Sequence, residues 1–223
     1  MSIEISKVIR TKRKTIALQI TDDATLVVRA PFGVSDEIIK KVVEKHKSWI
    51  EKKIREVRAR DPKVAKKEFV NGEGFLYLGK YYKLHIVDKQ DVPLMFNNGF
   101  FLLKSYVPVA RELFVKWYKK MAYEKISERV EWYAGARGFK YNKVNITDAQ
   151  KRWGSCSSCG NLNFSWRLIM APLPVVDYVV VHELAHLEER NHGEKFWAIV
   201  KMLFAEYERY QDWLKANGYM LTL

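Results

Sequence analysis

Three of the chain's five histidines fall within eleven residues, at a spacing that suits a metal ion. Residues 182–186 read His-Glu-Leu-Ala-His, and a third histidine follows as His192. Residues four apart lie one turn apart on the same face of a helix, so the imidazoles of His182 and His186 can reach one ion. Glu183 lies beside the first of them, where its carboxylate can accept a proton from a metal-activated water. The pattern predicts a catalytic site with Zn²⁺ as its metal.

An ordinary solvated helix face would carry similar residues, but the neighbours of the motif argue against it. They are apolar and predict a segment buried on nearly every side: Val175, Val176, Val179, Val180, Val181, Leu184, Ala185 and Leu187. Buried ionisable groups need partners or a metal. The flanking sequence therefore favours a metal site over a solvated surface.

The third ligand needs a change of chain direction. On an unbroken helix His192 would lie about 9 Å beyond His186 along the axis, and on a different face. It can join the same ion only if the helix ends soon after His186 and the chain turns back. Asn191 and Gly193 are residue types that readily adopt left-handed conformations at helix ends, so such a turn is available. Three neutral imidazoles and a water would then form an open catalytic site.

Two other interpretations of this region remain. A carboxylate from the following helix, Glu206 or Glu208, could be the third ligand in place of His192. Alternatively, the side chain of His192 could cap the end of the motif helix without binding metal. We favour His192 as the third ligand.

The first third of the chain predicts strands followed by a helix. Apolar residues alternate in three short stretches among the first thirty residues, and breaks at 12–14 and 21–23 predict hairpin turns. Ser35 predicts the N-cap of a helix whose apolar stripe continues to Val57. We therefore predict a β-hairpin and helix subdomain over residues 1–68.

Residues 69–105 predict a β-rich segment. Asn-Asn-Gly at 97–99 is a strong hairpin signal between two apolar stretches. The aromatic residues of the segment could form a stacking platform for bases, but such residues more often pack on a sheet face, which we favour. They are Tyr77, Tyr81, Tyr82, Phe96, Phe100 and Phe101.

Residues 106–223 predict the metal-binding core. A long helix near 109–134 is followed by strands at 144–147 and 161–167. The valine-rich segment before His182 has strand propensity, but the metal-binding spacing works only on a helix, so we predict a helix there. Helices and a small sheet in this order predict an α+β core.

The chain has a pair of cysteines in the loop before the predicted strand 161–167. Cys156 and Cys159 form one Cys-x-x-Cys pair, which could be redox-active or half of a metal site. The sequence contains no second pair, and a three-histidine site does not need these thiols. We favour a structural loop beside the active site.

The same region supplies candidate substrate-binding residues. Arg152 could steady a substrate carbonyl or an oxyanion. We interpret strand 161–167 as a sheet edge to which an extended substrate adds as a further strand. Asn163 and Arg167 on that strand are therefore candidate substrate-binding residues together with Arg152.

Charge and composition limit the classes of partner that the protein can have. The formal net charge is +13, and residues 1–68 hold 18 basic and 10 acidic side chains. This excess favours nucleic acid as a partner of the N-terminal region, although a solvated basic surface has the same composition. The sequence contains no apolar run of membrane-spanning length and no signal-peptide pattern, so we predict a cytoplasmic protein without membrane contact. It gives no signal for an oligomeric state.

Several motifs follow one another along the chain. They are Gln-Lys-Arg-Trp-Gly-Ser-Cys at 150–156, Gly-Asn-Leu-Asn-Phe at 160–164, Trp-Arg-Leu-Ile-Met-Ala-Pro at 166–172, Val-Val-Val-His-Glu-Leu-Ala-His at 179–186 and Asn-His-Gly at 191–193. This succession resembles the YgjP-like metallopeptidase domain, a group related to the SprT-like and WLM (Wss-like) zincins. The resemblance covers nearly the full chain.

The resemblance implies an α+β fold with a zincin-like core of one long helix, a small sheet and the motif helix, preceded by an N-terminal β-hairpin and helix part. Carried onto this chain, it implies that His182, His186 and His192 bind zinc and that Glu183 is the general base. The implied activity is that of a zinc-dependent metallopeptidase or another metal-dependent hydrolase. By analogy, the SprT-like and WLM relatives imply protein substrates attached to DNA.

Two classes of function follow for testing. The first is a zinc metallopeptidase that hydrolyses protein or peptide substrates, with water activated by Glu183. The second is a zinc-stabilised nucleic-acid-binding module with little or no hydrolytic activity, motivated by the basic N-terminal third. Glu183 favours the enzyme, because a purely structural zinc site would not require it. An amide hydrolase that does not act on peptides would use the same metal centre.

Overall fold

The computed structural model describes residues 4–21, 23–59 and 67–223. Within these ranges the chain is a mixed α/β structure with six α-helices and three small sheets. It divides into two compact units, Met1–Lys63 and Val64–Leu223, each with its own hydrophobic core. The β-rich segment 69–105 contributes to the core of the second unit.

The first unit packs two helices on a three-stranded sheet. Its elements are β1 (Ile5–Thr11), β2 (Ala17–Ile20), β3 (Leu26–Pro31), α1 (Asp36–Lys45) and α2 (Lys47–Arg58). The strand order is β1-β3-β2. Strand β3 lies in the centre because it is the most apolar of the three, with Leu26, Val28 and Ala30 fully buried.

The pairing corrects one of the two predicted hairpins. Strands β2 and β3 pair antiparallel across a turn in which the Thr21 N–H donates to the Thr25 carbonyl at 3.0 Å, as the break at 21–23 predicted, although Asp22 lies outside the described residues. The predicted hairpin at 12–14 is wrong, because β1 pairs with β3 in parallel. Strand β3 lies between β1 and β2, so these two strands are not neighbours and no hairpin joins them.

The predicted helix begins where expected and is interrupted once. The Ser35 hydroxyl accepts a hydrogen bond from the Ile38 N–H at 3.4 Å, which confirms the N-cap. At His46 the backbone leaves the helical region, so two helices replace the single helix predicted to Val57. Ile39, Val43 and Ile50 nevertheless share one buried face across the break.

The second unit opens with a four-stranded sheet. Its strands are β4 (Gly74–Tyr77), β5 (Lys80–Val87), β6 (Leu94–Phe96) and β7 (Phe100–Leu103), in the order β4-β5-β7-β6. The hairpin at 97–99 joins β6 to β7, as predicted. Tyr77, Phe96 and Phe100 pack against Trp117, at centroid distances of 5.0, 5.2 and 4.8 Å. These aromatic residues therefore belong to the core.

The rest of the second unit carries the motif. A 3₁₀ helix (Lys104–Val109) leads into α3 (Ala110–Arg137), and a small sheet is formed by β8 (Lys143–Thr147), β9 (Gly154–Cys156) and β10 (Asn161–Ser165). There follow a 3₁₀ helix (Trp166–Met170), α4 (Leu173–Ala185), α5 (Glu194–Leu203), α6 (Tyr207–Asn217) and a terminal 3₁₀ turn (Gly218–Met220).

Helix α4 lies in the core and is held by α3. Nearly all of its residues from Val175 to Ala185 are buried, as its apolar sequence predicted, and this packing outweighs the strand propensity of its valines. On its polar side, Asp177 accepts two hydrogen bonds from Arg129 of α3, at 2.6 and 3.1 Å. The turn at Gly79 packs directly against Pro172 at the start of α4, so closely that a side chain at Gly79 would overlap Pro172.

The small sheet differs from the prediction in one functional respect. Its order is β8-β10-β9, so β10 pairs with both neighbours and is the central strand. The interpretation of strand 161–167 as a sheet edge is therefore wrong, and Arg167 belongs to the following 3₁₀ helix. The edge beside α4 is β9, which the sequence did not indicate because it has only three residues, two of them Gly154 and Ser155.

None of the helices in the described ranges combines the length and the apolar character that crossing a membrane requires.

Candidate metal centre

The structure brings the three histidines of the motif together. His182 lies on α4, His186 caps its C-terminal end, and His192 lies just before α5. One ring nitrogen from each falls within 4.8 Å of those of the other two, and the Nε2 atoms of His182 and His192 are 3.0 Å apart. Phe196 of α5 lies beneath all three rings, at centroid distances of 4.6 to 4.9 Å.

The environment keeps the first two imidazoles neutral. Burial lowers the pKa of His182 to about 3, and the neighbouring His186 and His192 add to the effect. Burial also lowers the pKa of His186. A neutral imidazole offers the lone pair that a metal requires, so the pocket favours the ligating form of both residues.

The turn after α4 places the third imidazole. The helix ends at Ala185, and the Glu189 N–H bonds back to the Ala185 carbonyl at 2.9 Å. The chain therefore turns back directly after His186, as the interpretation of His192 required. The prediction that left-handed residues make this turn was wrong, because neither Asn191 nor Gly193 adopts a left-handed conformation.

Two polar contacts support this turn. Nδ1 of His186 lies 3.0 Å from the Glu189 carbonyl, a contact that assigns the proton to Nδ1 and leaves Nε2 as the lone-pair nitrogen. The Arg190 guanidinium donates to the carbonyls of Ser157 and Ser158, at 3.1 Å each. Arg190 thereby ties the turn to the hairpin between β9 and β10.

The carboxylate of Glu183 is buried against β9. Its exposed fraction is 5%, and the Cys156 backbone N–H donates to it. The other oxygen, Oε2, has no hydrogen-bond partner among the described residues. Burial raises the pKa of Glu183 to about 8, against the opposing effects of the Arg152 charge and the Cys156 N–H. A carboxylate with one free oxygen and a raised pKa can hold and release a proton near neutral pH.

Gly154 makes room for this carboxylate. A Cβ at this position would overlap Oε1 of Glu183 and would lie 2.6 Å from its Cγ. The strand and the helix are thus closer together than any other residue type would allow. Gly154 lies within one of the sequence motifs, but a glycine carries no chemical group from which this role could be predicted.

The three candidate substrate-binding residues lie in different environments. Arg152 is exposed, and its charge acts on Glu183. Arg167 is buried and donates to Asp148 at 2.7 Å, with its guanidinium 4.3 Å from the Trp166 ring. The Asn163 side chain accepts from Asn145 at 3.0 Å and donates to the Ser155 carbonyl at 3.3 Å. The substrate-binding roles of all three stay predictions.

The two cysteines are free thiols at the hairpin between β9 and β10. Cys156 is half-buried in β9, and Cys159 is exposed. Burial raises the pKa of Cys156, against a smaller lowering effect of Arg190. A raised pKa disfavours the thiolate that redox chemistry and metal binding need. This environment agrees with a structural loop beside Glu183.

The donor set fits a zinc ion. Tetrahedral zinc with ligands at about 2.0–2.1 Å separates its ligand atoms by about 3.3 Å. The Nε2 atoms of His182 and His192, 3.0 Å apart, are close to this separation, and all three ring nitrogens lie within 4.8 Å of one another. The alternative ligands Glu206 and Glu208 are not members of the cluster that the described residues form. The buried Nδ1 of His182 has no hydrogen-bond partner among these residues, so Nε2 is the His182 atom that faces the other rings.

Comparison with known proteins identifies the family. The model of the YgjP-like metallopeptidase domain matches residues 14–217, and a metallopeptidase of any family implies a metal ion and peptide hydrolysis. A crystal structure of the metallopeptidase zymogen of Pyrococcus abyssi abylysin aligns over 41% of this chain and 93% of that chain, with 19% sequence identity and a TM-score of 0.39. A comparison with curated proteins gave no match. Because the family match spans most of its length, the chain belongs to the YgjP-like metallopeptidase domain family.

Proposed function

We propose that the protein is a zinc-dependent metallopeptidase with a zincin-like core, in which His182, His186 and His192 hold the ion. The observation that carries the proposal is the grouping of three imidazoles, together with a buried carboxylate, Glu183, on the helix that carries His182. Bound zinc supplies Lewis acidity, which polarises a peptide carbonyl and acidifies water. Zinc suits an all-imidazole donor set better than magnesium or calcium, which prefer oxygen ligands.

Glu183 is the proton carrier in this proposal. Its Oε2 has no hydrogen-bond partner in the part of the chain that the structure describes and is available to accept a proton, while the Cys156 N–H holds the carboxylate in place. A dication at the histidines would stabilise the ionised carboxylate and so prepare it to act as a base. After the carbonyl is attacked, the same oxygen delivers its proton to the departing amine.

Strand β9 is the proposed binding edge for the peptide. It is an outer strand of its sheet, and it contacts Glu183 through both Gly154 and Cys156. An extended peptide added beside β9 would pass close to the Glu183 carboxylate. Arg152 stands at the start of this edge, where its guanidinium can steady a carbonyl oxygen.

The test is cleavage of an unfolded protein by zinc-loaded wild type and by Glu183→Gln, each with and without single-stranded DNA. We expect the variant to bind zinc as the wild type does and to lose at least about 100-fold in activity, which is the usual contribution of a general base. Glu131→Gln, on the exposed face of α3, is the matched control and should retain full activity. Undiminished cleavage by Glu183→Gln would end the mechanism.

A second function, nucleic-acid binding, is supported by the first unit. Its described residues carry 14 basic and 7 acidic side chains, and the exposed basic residues of α1 and α2 include Lys40, Lys41, Lys45, Lys52, Arg55 and Arg58. Trp49 is 43% exposed on α2, one turn before Lys52 and Lys53. Exposed cations beside an aromatic ring suit a single-stranded polyanion. A peptidase with this surface would act on proteins associated with nucleic acid.

Salt dependence separates the two functions. We expect binding of single-stranded DNA that weakens steeply with salt, and a shallower slope for the double variant Lys52→Glu, Arg55→Glu. If that variant also loses DNA-stimulated cleavage while keeping basal cleavage, the surface serves the peptidase. If DNA binds but neither wild type nor Glu183→Gln cleaves, the chain is a zinc-stabilised binding module.

A further inference from the structure

An open pocket of about 620 Å³ adjoins the third histidine. His192 itself forms one wall, and α5 and the start of α6 form the others. Its lining includes the side chains of Glu194, Trp197, Lys201, Tyr207 and Glu208. Because His192 lines both the pocket and the histidine cluster, a group in this pocket would lie next to the centre that holds the metal.

The base of the pocket is a rigid aromatic surface. The rings of Trp197 and Tyr207 stack with centroids 5.2 Å apart and planes inclined by 16°. Tyr207 is buried and also stacks with Tyr178 at 6.4 Å, so Trp197, which is half-buried, is the ring that the pocket exposes. Trp197 also approaches the ring of His192 at 5.9 Å. A flat aromatic face attracts the alkyl stem of a long side chain, and its π-system attracts a cation.

The charges around this surface favour a cation. Glu194 and Glu208 are both exposed at the pocket, with Lys201 as the one opposing charge among its lining residues. The Tyr207 hydroxyl donates to Glu208 at 3.3 Å and so holds that carboxylate beside the aromatic surface. A locally negative pocket contrasts with a chain whose net charge is +13. An acidic group would be repelled here, and an apolar group would remove two carboxylates from water without compensation.

We propose that this pocket binds a lysine or arginine side chain of the peptide substrate, next to the bond that is cleaved. The stem lies on Trp197, which Tyr207 supports from behind, and the charged end meets Glu208 and Glu194. The proposal rests on the peptidase function and names the class of substrate for it. It gives the enzyme a preference for basic sequences, which are also common in proteins that bind nucleic acid.

The test measures binding separately from cleavage. Zinc-loaded Glu183→Gln is titrated by calorimetry with unstructured peptides that differ only at a central lysine, arginine, norleucine or glutamate. We expect the lysine and arginine peptides to bind at least about fivefold more tightly than the norleucine peptide, and the glutamate peptide to bind most weakly. Glu208→Gln should remove most of this difference, and Glu208→Lys should reverse the order of lysine and glutamate. Asp212→Asn removes an exposed carboxylate from the same helix as Glu208, outside the pocket lining, and should change nothing.

Cleavage by the wild type distinguishes this proposal from the proposed function. If a mixture of unfolded peptides is cut mainly beside basic residues, and Glu208→Gln loses that preference, both are supported. If peptides are cut without regard to basic residues, the pocket proposal fails and the peptidase stands. If basic peptides bind preferentially but nothing is cut, the peptidase fails and the pocket stands. Equal binding of all four peptides, or no binding of any, overturns the pocket proposal.

Discussion

The Nε2 atoms of His182 and His192 lie 3.0 Å apart, but the chain positions the two residues in different ways. His182 is carried by α4, whose residues are buried on nearly every side. His192 is exposed and stands in a short segment between two helices. The first position depends on core packing, whereas the second depends on a few hydrogen bonds around the turn.

The difference predicts how the two halves of the site respond to substitution. The buried half is α4, with His182 and Glu183, and the strand β9 beside it; the exposed half is the turn of residues 186–193 that carries His192. In a close-packed interior even one added methyl group has no free space, so the buried half is sensitive to shape. In the exposed half a single hydrogen bond contributes about 1 kcal/mol, so the response is graded. Substitutions in the two halves should therefore differ both in size and in the property that they change.

The largest effect should come from Gly154→Ala in the buried half. The added methyl group overlaps Oε1 of Glu183 and must displace the carboxylate or the strand. We expect activity to fall by about 10²–10⁴-fold, the range of a lost general base, while the zinc affinity stays within a few-fold of wild type. Peptide hydrolysis and zinc titration of the same preparation measure the two quantities.

A matched glycine serves as the control for this substitution. Gly135 lies in α3 with nothing within 4 Å of the position where a Cβ would be built, so Gly135→Ala should leave activity unchanged. Wild-type activity in Gly154→Ala would mean that the contact between β9 and Glu183 does not position the base.

An intermediate effect is expected for metal binding in the exposed half. At zinc concentrations of about 100 times the Kd, binding stabilises the folded state by about 2.7 kcal/mol, which corresponds to a rise in Tm of roughly 5–10 °C for a unit of this size. His192→Ala should abolish this rise. Without zinc its Tm should match the wild type, because an exposed side chain contributes little packing.

Thermal unfolding with and without a chelator makes this measurement. A lowered Tm of metal-free His192→Ala would contradict the comparison, since it would place His192 among the residues that hold the fold. A zinc-dependent rise in Tm that survives the substitution would show that His192 is not a ligand, and would favour Glu206 or Glu208 as the third ligand.

Sequence reasoning was most successful where one physical requirement dominated. The metal-binding spacing required a helix at the motif, and the apolar flanks required its burial. The buried helix α4 carries the motif as far as Ala185, and His186 is its C-cap. Ser35 and the hairpin at 97–99 are local signals, and each depends on a few neighbouring residues. In these cases the interacting residues are close together along the chain, so a local sequence pattern is enough to predict them.

The errors concern contacts between distant segments. The parallel pairing of β1 with β3 depends on which strand is most apolar, and not on the turn between neighbours. The central place of β10 depends on β9, a strand of three residues without a pattern of its own. Gly154 and Arg190 act through close approach and through hydrogen bonds to distant carbonyls. A single sequence does not display such relationships.

The smallest of the effects should come from Arg190, which joins the turn of the exposed half to the hairpin after β9. Arg190→Lys keeps the charge but cannot donate to the carbonyls of Ser157 and Ser158 with the same forked geometry. We expect a loss of about tenfold in zinc affinity, or about 1.4 kcal/mol, as for other residues that orient a ligand.

Arg190→Gln sharpens this prediction because it removes the positive charge as well as the hydrogen bonds. A cation close to the histidines disfavours a bound dication, so the loss of charge should offset part of the loss of positioning, and Arg190→Gln should bind zinc more tightly than Arg190→Lys. Arg209→Gln on α6 removes a charge away from the turn and is the control. Equal zinc affinities for wild type and Arg190→Lys would show that the turn positions His192 without the two hydrogen bonds of Arg190. The position of His192 would then depend on hydrogen bonds around the turn no more than the position of His182 does.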